Sequence, residues 1–334
     1  MSRVVFLMDK IMRKFGLSGK SVVPLISGTA CAITAIMATR NIENWKERLI
    51  TILVTPFTTC SARLPVYAII IALVIPDNRV FGFLNMQGMT LMLLYLLGFG
   101  MAIFSAYILN KILKIKGKTY FVVEMPNYKL PLFKNVGINV IEKTKAFIFG
   151  AGKIILAISI VLWFLASYGP GEKFNNAETI VTENTKQNPL SETDFENAVA
   201  SQKLENSYIG LMGKTIEPAI SPLGYDWKIG IAIISSFAAR EVFVGTLATI
   251  YSVGGSDNET TIKNKMAAEI NPVTGEKIFN FASGISLLLF YAFAMQCAST
   301  LAVTKKETNS WKWPAGQLIF MSGFAYVVAL IAYQ

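Results

Sequence analysis

The fold class predicted by this 334-residue sequence is all-α: a polytopic transmembrane helical bundle of roughly seven spans, some of them broken. Three observations carry the prediction. Hydrophobic residues make up 53% of the chain and the mean hydropathy is +0.48, which is too apolar for a globular domain of ordinary composition. Apolar runs near the length needed to cross a bilayer recur along it. Several of those runs contain prolines, charges or dense hydroxyls, which hydrocarbon tolerates only where the backbone faces protein or a wet cavity.

Taken in order, the first residues interleave Arg3, Lys10, Arg13 and Lys14 with apolar side chains. They lack a continuous apolar core followed by a small-residue cleavage site, so they read as an amphipathic helix rather than a signal peptide. The expected crossings are residues 22–38, 49–75, 88–109, 146–168, 228–253, 281–303 and 313–333, with the second interrupted by Pro56 and Pro65. Residues 256–277, with "NPVTGEK", read as a polar connection.

Net charge is +10, and its placement argues against a nucleic-acid partner. The lysines flank apolar runs, and no aromatic-basic surface accompanies them. Between Lys111 and Lys145 eight lysines face Glu124 and Glu142, which predicts a cytoplasmic loop. Residues 169–227 are acidic and polar, and are expected to face outward as a small helical cap or a loop without a site. Full crossing by every run would place Lys305, Lys306 and Lys312 outside, so either that short loop breaks the positive-inside rule or one interrupted segment is re-entrant.

The candidate functional residues lie inside these runs. The three cysteines, Cys31, Cys60 and Cys297, are too far apart for a C-x-x-C motif, and each has the alternative of being a small buried hydrophobe. In "TPFTTCSARLPVY", Pro56 and Pro65 each remove a backbone donor, and Thr55, Thr58, Thr59 and Ser61 supply hydroxyls beside Cys60. Arg63 marks a partner or a pathway there, or snorkels from a span end. Cys31 sits among small residues in "SGTACAITAIMATR", and Cys297 beside Met295, Gln296, Ser299 and Thr300. Arg240 and Glu241 point about 100° apart on a helix and cannot simply pair with one another. Glu241 is an oxygen-ligand or proton-carrier candidate, the alternative being an ion pair with Arg63 or Arg240. The chain has no histidine, so imidazole ligation and a His-based nucleophile–base pair are excluded, and no carboxylates converge in the pattern of a membrane enzyme.

These stretches together resemble the permease part of the ferrous iron transport protein B (FeoB) family. The resemblance rests on "AIMATRNIENWKERLITILVTPFTTCSARLPVYAIIIALVIP", "EMPNYKLP", "FAAREVFVGTL" and "ETNSWKW". It implies two Gate-type, nucleoside-recognition-like repeats around Cys31 and around Arg240 and Glu241, and a Cys-lined route for Fe(II) as transported substrate. Cys31, Cys60, Cys297 and Glu241 are the implied transient metal ligands, and Arg63, Ser61, Thr59, Arg240, Met295, Pro56 and Pro65 line or support the path. The implied organisation is an amphipathic helix and the end of the first Gate region in 1–40, a conserved membrane core in 41–95, and a span end with basic loop in 96–145. A second Gate region follows in 146–303 with the acidic insert 169–227, then a terminal span in 304–334.

The family joins its permease to a GTP-binding domain using GTP and Mg. The "LSGKS" at residues 17–21 is not its phosphate loop, because the pattern needs glycine at position 14, which is Lys14. The resemblance therefore describes a carboxy-terminal permease portion, with no cofactor of its own and no enzymatic activity. Its implied partners are ferrous iron, the lipid bilayer of the bacterial cytoplasmic (inner) membrane, the GTP-binding domain, small accessory cytoplasmic Feo proteins and a second copy in a homo-oligomer. A Gate-type carrier of nucleosides or other organic solutes is the alternative function. One departure bears on geometry: Ala32 and Thr34 stand where the family usually has asparagine and proline, which would favour helix continuity beside Cys31.

Overall fold

The computed structural model describes residues 2–76, 79–80, 84–113, 132–185, 192–240, 242–250, 277–295 and 297–334. Helix dominates them, and the strands described are the two-residue antiparallel ladder of Arg79–Val80 with Leu84–Asn85. Among the described residues four helical stretches are long and apolar enough to cross a membrane: Trp45–Val74, Met86–Ile112, Phe281–Thr308 and Lys312–Tyr333. Two shorter apolar helices, Lys153–Ser167 and Trp227–Ser236, fall in two more of the expected runs. The remaining run, 22–38, divides into helices Val22–Ser27 and Ala32–Ala38.

Local chemistry explains where these helices start. Asn44 caps Trp45–Val54 by accepting from the Lys46 N–H at 3.0 Å, and Asp226 caps Trp227–Ser236 through the Ile229 N–H at 2.9 Å. Asn280 and Ser283 form a reciprocal capping box at the head of Phe281–Phe293. In each case a side-chain oxygen satisfies an amide that the first helical turn leaves without a partner.

The chain folds as two compact units. The first contains Met1–Ser61, Leu93–Leu156 and Ala298–Phe320. Its amphipathic opening helix, Ser2–Met12, packs Met8 and Met12 onto a core of Leu17, Val22, Leu25, Ile50, Val54 and Ala106. Asp9 accepts from the Gly19 N–H at 2.7 Å, so "LSGKS" is tied into a turn by the helix before it. A second cluster joins Ile33, Ile36, Ile52 and Val303, with Cys31 packed against it.

The second unit contains Ala62–Met92, Ala157–Cys297 and Met321–Gln334. Helix Leu64–Val74 packs on Phe281–Phe293, and Ser286 links that helix to Tyr225 and to the Ala329 carbonyl, both at 2.9 Å. Part of the acidic insert is helical here, as Glu192–Glu205 and Tyr208–Ile220, the latter laid against Trp227–Ser236 around Ile209 and Ile231. Lys114, Lys116, Lys118, Lys129 and most of the expected 256–277 connection lie outside the described residues.

Candidate metal route at paired helix breaks

In the first unit two interrupted helices meet at their interruptions. Val22–Ser27 ends with the Cys31 N–H reaching the Ser27 carbonyl at 3.1 Å; Cys31 then takes an extended backbone, φ −155° and ψ 129°, and heads Ala32–Ala38. The Thr34 hydroxyl donates back to the Cys31 carbonyl at 3.0 Å. The helix is thus continuous through Thr34, but the chain still breaks at Cys31, three residues earlier, so the loss of the family proline does not make the helix continuous there.

The second interruption follows Val54. Pro56 has no N–H for the carbonyl four residues back, so the backbone tightens into a 3-10 turn at Thr55–Phe57 and Thr58 becomes extended. Thr59 and Cys60 follow, then a 3-10 turn at Ser61–Arg63 and helix Leu64–Val74. Pro65 lies in the first turn of that helix, where its missing N–H removes no helical bond. It opens the helix rather than breaking it.

The Ser61 hydroxyl donates to the Ala30 carbonyl at 2.9 Å, which fastens the residue beside Cys60 to the residue beside Cys31. Two glycines permit the approach. A Cβ on Gly28 would lie 2.4 Å from Thr58 Oγ1, and one on Gly98 would lie 2.8 Å from Thr59 Oγ1 and 3.0 Å from the Phe57 carbonyl. Most threonine hydroxyls of this region bond a carbonyl one turn back, including Thr29, Thr51, Thr55 and Thr58. Thr59 Oγ1 does not, although Thr59 is fully buried.

The same unit buries Ser299 Oγ, Thr304 Oγ1 and Gln317 Oε1 without a hydrogen-bond partner among the described residues. The Gln317 Nε2 donates to the Leu53 carbonyl at 2.9 Å, just before the helix tightens. Each buried oxygen left unbonded costs about 1–3 kcal/mol.

The second unit holds the other candidates. Arg63 is fully buried, so it does not snorkel from a span end. Trp227–Ser236 stops, residues 237–240 turn, and Val242–Ile250 resumes; Phe281–Phe293 stops at an extended Ala294 before Cys297. The buried Arg240 joins these two breaks by donating from Nη2 to the Ala294 carbonyl at 3.3 Å. Its Nη1 has no partner among the described residues. Met295, next to that carbonyl, is buried. Glu241 and Gln296 lie outside the described residues.

All three cysteines are reduced and half-buried. Among the described residues no three Cys, Asp or Glu side chains come together as a closed metal cage. The arrangement offers a thiol here, a hydroxyl or a backbone oxygen there. Such donors suit a cation that changes ligands as it moves better than one that stays.

The sequence analysis missed one cluster. The Glu307 carboxylate accepts from Arg40 Nε at 2.9 and 3.1 Å and from Arg40 Nη2 at 2.5 Å, and from Arg48 Nη2 at 2.7 Å. Its side chain is 4% exposed, against 50% for Arg40 and 23% for Arg48. Hydrogen bonding to Glu307 holds the Arg40 guanidinium above its ordinary range. The partners are 267 and 259 residues apart, so no local pattern announces them.

Comparison with known proteins places the chain in a family. The Gate family model, described as nucleoside recognition, matches residues 1–74 and 148–311, which contain every break described above. The model for the ferrous iron transport protein B C terminus matches residues 91–143. The Fe(2+) transporter FeoB of Leptospira interrogans is 44% identical over all of this chain and 45% of its own length. The chain belongs to the FeoB family. FeoB of Methanocaldococcus jannaschii is 35% identical over 99% of the chain and 43% of its own length. A Porphyromonas gingivalis relative, named an Fe(2+) transport protein A/Fe(2+) transporter FeoB fusion protein, is 33% identical over the whole chain and 40% of its own length. The chain thus spans less than half the length of these FeoB relatives. No solved structure matches it. Family and long apolar helices together make it a multi-pass membrane protein.

Proposed function

We propose that the protein moves Fe(II) across the cytoplasmic (inner) membrane, as the permease part of a FeoB transporter. The observation that carries this reading is the pair of helix breaks fastened by Ser61 and the Ala30 carbonyl, which brings the backbone beside Cys31 and beside Cys60 into one place within a membrane-type fold. The relatives' printed names support iron as the substrate and a transporter rather than an enzyme. Fe(II) sheds water on entry and regains it on exit, so Cys31, Cys60 and Cys297, with Glu241 as a further ligand, act in passing. Thiols must deprotonate to ligate, so entry of the metal releases protons. Zinc and copper bind comparable donors more tightly than Fe(II), so selectivity comes from brief coordination rather than from affinity.

In this reading a GTP-binding domain using GTP and Mg controls the permease, and an accessory Feo protein joins it. The fusion of both names in the P. gingivalis relative supports the second partner. Alkylation of the three cysteines in native membrane vesicles, kept reduced and free of oxygen, tests the metal contact. Fe(II) is expected to protect Cys31, Cys60 and Cys297 and Mg(II) is not, because hard oxygen-seeking cations gain little from thiolate. Equal alkylation with and without Fe(II) at all three positions would remove the thiols from the route.

A further inference from the structure

We infer that Glu307, through Arg40 and Arg48, is a positioning residue that sets the spacing of the Cys31 and Cys60 breaks within the first unit. The inference deepens the proposed function and rests on it for its purpose, but its geometry stands by itself. Each cysteine lies at one end of a helix or its adjoining break, and the other end of that helix carries one member of the ion cluster. Helix Ala32–Ala38 runs from Cys31 to the Thr39–Asn41 turn, which holds Arg40. Helix Trp45–Val54 carries Arg48 in its first turn and ends at the break that leads to Cys60. Helix Ala298–Thr308 begins directly after Cys297 and carries Glu307 in its last turn.

Helix Ala298–Thr308 packs on Ala32–Ala38, and Ile52 of Trp45–Val54 joins Ile33, Ile36 and Val303 in one buried cluster. A helix of 7 to 11 residues, rising about 1.5 Å per residue, is a short and stiff lever. A shift at the ion cluster is therefore transmitted to the breaks rather than absorbed between them. The cluster is also lopsided. Two guanidiniums share one carboxylate, and Arg40 is half exposed while Glu307 and Arg48 are not. The Arg40 arm can let go into water without stranding its own charge; Glu307 then keeps Arg48.

This makes a prediction that a plain structural staple does not. Loss of one arm should act on the break at the far end of that arm's own helix, whereas a staple would loosen the unit as a whole.

The test is the alkylation rate of each cysteine, read by mass spectrometry in native vesicles without iron, with thermal stability and Fe(II) flux measured on the same preparations. Arg40→Gln is expected to change the rate at Cys31 by about fivefold or more with little change at Cys60, and Arg48→Gln to do the reverse. Glu307→Gln should move both Cys31 and Cys60, and Arg40→Lys should restore the Cys31 rate because it keeps the charge. Should Glu307→Gln fail to fold, the two single-arm variants still decide. Equal changes at Cys31 and Cys60 in the single-arm variants, or rates within about twofold of the parent in all of them, overturn the inference. The labelling needs no iron, so absence of Fe(II) flux in the parent protein would count against the proposed function while the arm-specific pattern still judges the positioning role.

Discussion

In the proposed function, Thr59 is where the needs of folding and of transport can be told apart. Its hydroxyl is buried between the Phe57–Cys60 break and Gly98 and makes no bond among the described residues, unlike the threonines around it. Valine has the same shape without the hydroxyl, and replacing an unbonded buried polar group by an apolar one is nearly neutral or stabilising. Thr59→Val should therefore leave the melting temperature unchanged or raised, yet lower Fe(II) flux, because an oxygen beside Cys60 is lost. Lowered stability with unchanged flux would show that the hydroxyl serves the fold. At this scale the sequence was informative where chemistry is local. Prolines, hydroxyls and a cysteine within thirteen residues marked the break at Cys60, but nothing local distinguished Thr59 from Thr58, since one bonds its own turn and the other does not. Nor could it reveal Glu307, whose lysine-rich surroundings look like the solvated end of a span and whose partners lie in the first 48 residues.

At the scale of elements, the opening amphipathic helix, the apolar runs and the interruption after Val54 were legible because each follows from periodicity, length or a proline. Two breaks were not. Residues 228–253 and 281–303 read as continuous crossings, yet the backbone turns at 237–240 and again before Cys297. "FAAREV" has good helix formers and no proline or glycine, so propensity predicts continuity. What competes with it is tertiary, as the buried Arg240 side chain spans the two breaks to reach the Ala294 carbonyl. Pro65 was also misread as a breaker when it opens a helix. Close approach at the breaks gives a direct test in paired glycines of one helix. Gly98→Ala pushes a methyl against Thr59 and the Phe57 carbonyl and should cost about 1–3 kcal/mol, with loss of flux. Gly100→Ala meets nothing within 4 Å and should be neutral or stabilising by up to about 1 kcal/mol. Thermal unfolding of the two side by side checks the contrast, and an equal loss in both would mean that helix distortion rather than the approach to the break is at fault.

For the whole molecule, one device occurs in both compact units. A broken helix is fastened to another broken helix by a side chain on a backbone carbonyl, Ser61 on Ala30 in one and Arg240 on Ala294 in the other. Hydrocarbon penalises free backbone groups, so such breaks persist only where side chains and packed protein satisfy them, and they are the places where a dehydrated cation finds oxygen and sulfur. The residues matched by the Gate model contain both pairs. The central claim, that Fe(II) passes along these breaks by way of thiols, is tested most directly by Fe(II) flux in anaerobic, reducing membrane vesicles. The parent protein is compared with Cys31/Cys60/Cys297→Ser at matched folded amount. Flux that falls at least about tenfold in the triple variant, a loss of about 1.4 kcal/mol or more in barrier terms, is the predicted result; flux equal to that of the parent would contradict it.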